Sequence, residues 1–196
     1  MRQLRERFDR QPVTSQPTIA IVPIGNLPHE LVVDVGDVIS TSLGAIVVFA
    51  DPLALPSSAY NPHREQYHST RILESLGDAK RRGWERILGV VDVDLYVPDL
   101  NFVFGEADSH RGVAVFSLAR LRPHRSTADP KALFITRAAT EGIHELGHTY
   151  GLAHCADPHC VMWFSNTLAE SDRKGLAFCA AHASQFAAAR SLSQEH

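Results

Sequence analysis

Between His144 and Met162 the chain reads HELGHTYGLAHCADPHCVM. His144 and His148 are four residues apart, the spacing that stacks two side chains on one face of a helix, one turn above the other. Two imidazoles so placed can reach a single ion, and with a third ligand they leave zinc an open position for water. Glu145 stands beside the first histidine but off that face, where it can contact such a water and take its proton. His154 comes six residues after His148 and would be far round a continuing helix. Gly151 is the residue that can end the helix at positive φ and swing the chain back. The pattern H-E-x-x-H-x-x-G-x-x-H therefore predicts three ligands and a bend, with Glu145 as the general base.

All three cysteines lie in the C-terminal part: Cys155, Cys160 and Cys179. An odd, clustered set of this kind argues for metal binding over a disulfide framework. Cys155-x4-Cys160 followed by Cys179-x2-His182 offers three thiolates and one imidazole, a normal closed, tetrahedral set for structural zinc. His159 is the competing fourth ligand; the close C-x2-H pair at a helix start favours His182. Metal binding would supply folding energy that this irregular, weakly apolar segment lacks. So many ligands cannot serve one ion. Two zinc ions per chain are expected, a catalytic one on His144, His148 and His154 and a structural one on the cysteine set.

These groups need a scaffold, and the upstream sequence supplies its elements. TIAIVPIG (18–25), AIVVFADPLAL (45–55) and ERILGVVDVDLYV (85–97) read as buried strands. Helices are expected between them, one opening near Asn26 and Pro28 and ending at Gly44, the other over about 65–81. That alternation predicts a mainly parallel sheet with helices packed on it. NFVFGEAD (101–108) and GVAVFSLARL (112–121) read as an antiparallel hairpin. A long helix follows from Pro130, capped by Asp129, to about Leu152, and the Ala-rich C-terminal end reads as one more. The predicted class is α+β with an α/β-like N-terminal part: a mixed, mainly parallel twisted sheet, an active-site helix, and an irregular zinc-braced C-terminal subdomain. A lead-in at 1–17 precedes a single catalytic domain at 18–196, divided at 152 into sheet-and-helix and zinc-braced parts.

The chain of 196 residues is long enough for one well-buried core. A net charge of −3, and balanced charges at Glu170, Asp172, Arg173 and Lys174, give no phosphate-binding surface, so no nucleic-acid partner is expected. No stretch reaches the length of a transmembrane helix and no apolar segment follows the N-terminal charges, so a cytoplasmic monomer without membrane contact is the expectation.

The run from His144 through Met162 resembles the archaemetzincins, a metzincin-clan family of zinc peptidases whose motif joins HExxHxxGxxH to C-x4-C-x-M and a later C-x2-C. YNPHREQYHSTRILESL and DLNFVFGEAD resemble the same family. The likeness implies a zinc-dependent peptidase, with Met162 as an apolar floor beneath the metal. It also implies an edge strand that pairs with an extended peptide, here NFVFG with Phe102, Val103 and Phe104. Two positions depart from the pattern: His182 replaces the last cysteine, and the step from Met162 to Cys179 is one residue short. The rival readings are a non-catalytic or latent zinc-braced peptide-binding protein, of which a pure binding module has no use for Glu145, and a zinc hydrolase of a non-peptide amide.

Overall fold

The computed structural model describes residues 18–124 and 127–193; the lead-in at 1–17 lies outside the described residues. Strand β1 (Thr18–Pro23) is followed by helix α1 (His29–Leu43) and strand β2 (Ile46–Phe49). Two short strands, β3 (Tyr60–Asn61) and β4 (Gln66–His68), precede helix α2 (Ser69–Ala79). Then come β5 (Arg86–Val91), β6 (Leu95–Tyr96), β7 (Gly105–Asp108) and β8 (Val113–Ser117). The long helix α3 (Pro130–Thr149), a single turn α4 (Leu168–Ser171) and helix α5 (Ala180–Ser193) follow.

The main sheet has the order β2-β1-β5-β8-β7. Its first four strands are parallel, and β7 lies antiparallel to β8 at the edge. Alternation along the strands divides the core into two layers. Ile19 and Ile21 of β1, Leu88 and Val90 of β5, and Ala114 and Phe116 of β8 face α1 and α3. The alternate residues, among them Ala20, Ile87 and Val115, face Ile72, Leu73 and Leu76 of α2. Strands covered on both faces need near-continuous apolar runs, which is why β1, β5 and β8 read that way in the sequence.

Several boundaries differ from the sequence expectation, each for a local reason. The second helix starts at Ser69, because Gln66–His68 is drawn into a small sheet, β3-β4-β6. The run expected at 85–97 divides after Val91, and Leu95–Tyr96 joins that small sheet beside β4. Asn26 is not the cap of α1; Pro28 occupies the cap position without a side-chain hydrogen bond. Of the run expected as strand from Asn101, Gly105–Asp108 is strand β7, and Phe102, Val103 and Phe104 precede it. Val103 bridges to Leu95, and Phe104 carries the pairing with β8 one step further. The Val103 N–H donates to the Leu95 carbonyl at 3.0 Å, and the Phe104 carbonyl accepts from the Ser117 N–H at 2.8 Å. The turn α4 was not expected, although Thr167 and Glu170 spell a capping box that closes in both directions.

Among the described residues, no helix is long and apolar enough to cross a membrane. Two ion pairs fasten the segment around α4 to α3. Arg137 clamps Asp172 through Nε and Nη2 at 2.6 and 2.7 Å, and Lys174 reaches Glu141 at 3.1 Å.

Candidate active site

Helix α3 begins as its sequence dictates. The Asp129 carboxylate accepts from the Ala132 N–H at 3.0 Å, and Pro130 takes the first turn. Its C-terminal half is almost wholly buried and packs across β7 and β8, which fixes His144, Glu145 and His148 relative to the sheet edge. The helix stops at Thr149, and Gly151 adopts φ 80 with its N–H donating to the His148 carbonyl at 2.9 Å. The chain then turns back and carries His154 to the other two histidines. Ligating nitrogens of His144, His148 and His154 lie within 4.8 Å of one another.

Backbone carbonyls orient two of the rings. His144 Nδ1 lies 2.8 Å from the Val161 carbonyl, and His148 Nδ1 lies 2.7 Å from the Leu152 carbonyl. A carbonyl can only accept, so each Nδ1 carries the proton and each Nε2 keeps its lone pair. Those Nε2 atoms face each other at 3.1 Å. Two acceptors in contact repel unless a cation lies between them. Tetrahedral zinc with Zn–N bonds of about 2.0–2.1 Å separates its nitrogens by ~3.3 Å, so the spacing fits that ion. Burial also keeps the rings neutral and free to ligate. It holds His144 well below the usual histidine range, aided by the charge of Lys174, and it lowers His148 and His154.

Glu145 lies on the cleft side of α3, buried, with its carboxyl pushed well above the usual range by that burial and by the neighbouring Glu141. The start of β7 makes room for it. A Cβ on Gly105 would lie 2.6 Å from both Cγ and Oε1 of Glu145 and from the Val115 carbonyl oxygen. Gly105→Ala is therefore expected to cost about 1–3 kcal/mol in stability. By displacing the carboxylate it should also lower kcat/KM on the order of 10²-fold. Thermal melting and steady-state kinetics check the two effects separately.

Met162 is fully buried, and its sulfur packs against Gly147, between the two helical histidines, where no Cβ would fit. It belongs to a turn closed by the Trp163 N–H donating to the Cys160 carbonyl at 2.9 Å. The same turn supplies the Val161 carbonyl that orients His144.

The cysteine set also assembles. Cys155, Cys160, Cys179 and His182 bring their ligand atoms within 4.8 Å of one another, whereas His159 stays outside the group. Cys155 and Cys179 sulfurs are 3.8 Å apart, too far for a disulfide and equal to the ~3.8 Å edge that Zn–S bonds of about 2.3 Å give a tetrahedron. Backbone N–H groups of Asp157 and Cys179 donate to Cys155 and Cys160 sulfurs at 3.4 and 3.2 Å. His182 holds its Nε2 against the Ala153 carbonyl at 3.1 Å and turns Nδ1 towards Cys179 at 3.3 Å. Hydrogen bonding from His182 brings the Cys179 thiol down to about 6, whereas burial pushes Cys160 up to about 11. Both metal-ligand sets share one short stretch, since His154 and Cys155 are adjacent and Cys160 precedes Val161.

A cavity of about 510 Å³ opens in front of the histidines. The segment 100–107, including Phe102, Val103 and Phe104, lines one side, and α3 with residues 164–166 and Lys174 lines the other. Phe102 and Phe104 stack edge to face at 5.3 Å. Sequence reasoning missed Glu106, Glu141, Ser165 and Lys174 in this lining. Glu141 had a signal: it is one turn before Glu145 on a face that must be buried. Lys174 had none, because only the fold of the α4 segment brings it here.

A helix with paired imidazoles, a third returned by a bend, and a carboxylate beside a sheet edge form an arrangement that could hold a metal ion and serve a metal-dependent hydrolase. The model of Peptidase family M54 matches residues 22–187. The archaemetzincin of Methanopyrus kandleri is 44% identical over 141 residues, covering 72% of this chain and 77% of that protein. The archaemetzincin of Pyrococcus furiosus is 37% identical over 169 residues, covering 82% and 88%. Among solved structures, the M. kandleri archaemetzincin superposes with a TM-score of 0.78 at 37% identity, covering 91% of this chain and 97% of that one. A zinc-dependent peptidase from Methanocorpusculum labreanum gives 0.77 at 31% identity, covering 86% and 99%. The chain belongs to peptidase family M54, the archaemetzincins, and is a zinc metallopeptidase.

Proposed function

We propose that the chain hydrolyses peptide bonds with zinc held by His144, His148 and His154 and with Glu145 as general base. A second zinc would be held by Cys155, Cys160, Cys179 and His182. One observation carries the reading: the two helical Nε2 atoms present lone pairs to each other at 3.1 Å with both Nδ1 protons committed to carbonyls. Residues 18–196 act as one catalytic unit in this reading, with 153–196 as the braced part.

Zinc, when bound, supplies Lewis acidity, lowering the pKa of a water molecule and polarising a carbonyl. The chain's own groups do the rest. Glu145 accepts a proton from the attacking water at a carboxylate oxygen and returns it to the nitrogen of the departing amine. Val161 and Leu152 carbonyls hold the histidine rings in the ligating tautomer. Strand β7 lies at the sheet edge, where an extended peptide would pair with its outer side. Phe102, Val103 and Phe104 wall the cavity beside it.

A digest of a peptide mixture, read by mass spectrometry, tests this. Cleavage should appear with the zinc-loaded chain, vanish with a chelator and return on adding zinc. Cleavage that persists in chelator, with zinc content measured at zero, would remove the metal from the chemistry.

A further inference from the structure

One wall of the cavity carries polar groups that hydrolysis does not use. Glu141 is 1% exposed, and Lys174 lies with its Nζ 3.1 and 3.3 Å from the two carboxylate oxygens. Ser171 adds a hydroxyl that donates to Glu141 Oε1 at 2.5 Å. Both partners of this pair line the cavity. An ammonium has three N–H donors. Among the described residues, Glu141 is the only hydrogen-bond partner of the Lys174 ammonium, so one donor remains unspent. Ser165 lines the same cavity, is 9% exposed, and has a buried hydroxyl with no partner. Two unspent donors therefore border a cavity that Leu100, Phe102, Val103, Phe104 and Phe164 line with apolar side chains.

We propose that Lys174 and Ser165 form a substrate subsite that selects a side chain with an oxygen acceptor, a carboxamide or a carboxylate, close to the scissile bond. This rests on the peptidase reading above. An apolar side chain entering here would expel water and leave both donors without partners, whereas an acceptor satisfies them. Glu141 neutralises the ammonium and fixes it in place, so the site offers directed donors without a free positive charge. A plain structural brace between α3 and the α4 segment would explain the ion pair. It would not explain the idle hydroxyl of Ser165 on the same wall.

The test uses four peptides that differ at one residue, Gln, Glu, Leu or Met, placed in turn at each position around a cleaved bond. The wild-type chain should prefer Gln or Glu over Leu and Met by at least about tenfold in kcat/KM at one position. Glu ahead of Gln identifies a carboxylate, and Gln ahead of Glu a carboxamide; either supports the subsite. Ser165→Ala leaves the ion pair intact and should shrink that ratio several-fold. The double variant Glu141→Gln with Lys174→Met removes both charges at similar volume and should abolish it. Equal rates for Gln and Leu peptides, or a preference unchanged in both variants, overturns the proposal. The same peptides are also titrated onto the zinc-loaded and metal-free chain by NMR. A preference in affinity without turnover keeps the subsite and removes the peptidase; no preference in affinity or rate removes the subsite alone.

Discussion

Glu145→Gln should leave the zinc content unchanged and lower kcat by about 10²–10⁴-fold, the contribution of a positioned general base. Glutamine matches the shape of the carboxylate, which matters here because Gly105 leaves space for no larger group. It cannot take the proton, so the loss falls on kcat with KM little changed. Metal analysis and steady-state kinetics on one peptide decide the matter. Retention of wild-type kcat within threefold, with zinc bound, would mean that another group moves the proton. The rival reading of a pure binding module predicts the opposite pattern, with no turnover in either protein and equal peptide affinity.

The second large effect is expected at the cysteine set. Cys160→Ser should reduce the zinc content from two ions to one and destabilise the chain by more than about 4 kcal/mol, the scale reached when a bound metal is lost. Cys160 is fully buried, and its sulfur accepts from the Cys179 N–H at 3.2 Å, so the brace and the local packing fail together. The next residue, Val161, orients His144 through its carbonyl. The damage should therefore spread, weakening the catalytic metal about 10–100-fold, as loss of an orienting carbonyl does. Limited proteolysis should find new cuts after residue 155, and thermal melting should show the lost stability. His159→Ala is the control: that residue lies outside the ligand group, so metal content and melting should not change. If His159→Ala released the zinc and His182→Ala did not, the assigned fourth ligand would be wrong.

The parts of the fold that were legible are those fixed by local chemistry. β1, β5 and β8 are apolar runs because both faces are covered, and Asp129-Pro130 starts α3 where a cap and a first-turn proline can. The bend at Gly151 was readable because His154 has no other route to the first two histidines. What escaped was set by tertiary pairing. Gln66–His68 reads as the start of a helix and becomes strand because Leu95–Tyr96 lies beside it. Phe102 and Phe104 have strand-like side chains, yet the ladder with β8 reaches back only to the Phe104 carbonyl, and Val103 bonds to Leu95, so the strand proper begins at Gly105. Lys174 stood among mixed surface charges and gave no sign that it would be buried against Glu141.

The outer rim of β7 has one further implication. A strand edge can bind only a chain whose own amides and carbonyls are unspent over several residues, at about 3.3 Å of length each. Helices have none to offer, and strands inside native sheets have already committed theirs. The proposed peptide pairing at β7 would make the enzyme a reader of conformation before it is a reader of side chains. Loose termini, exposed loops and chains that have lost their fold would then be admissible, while compact proteins would pass untouched.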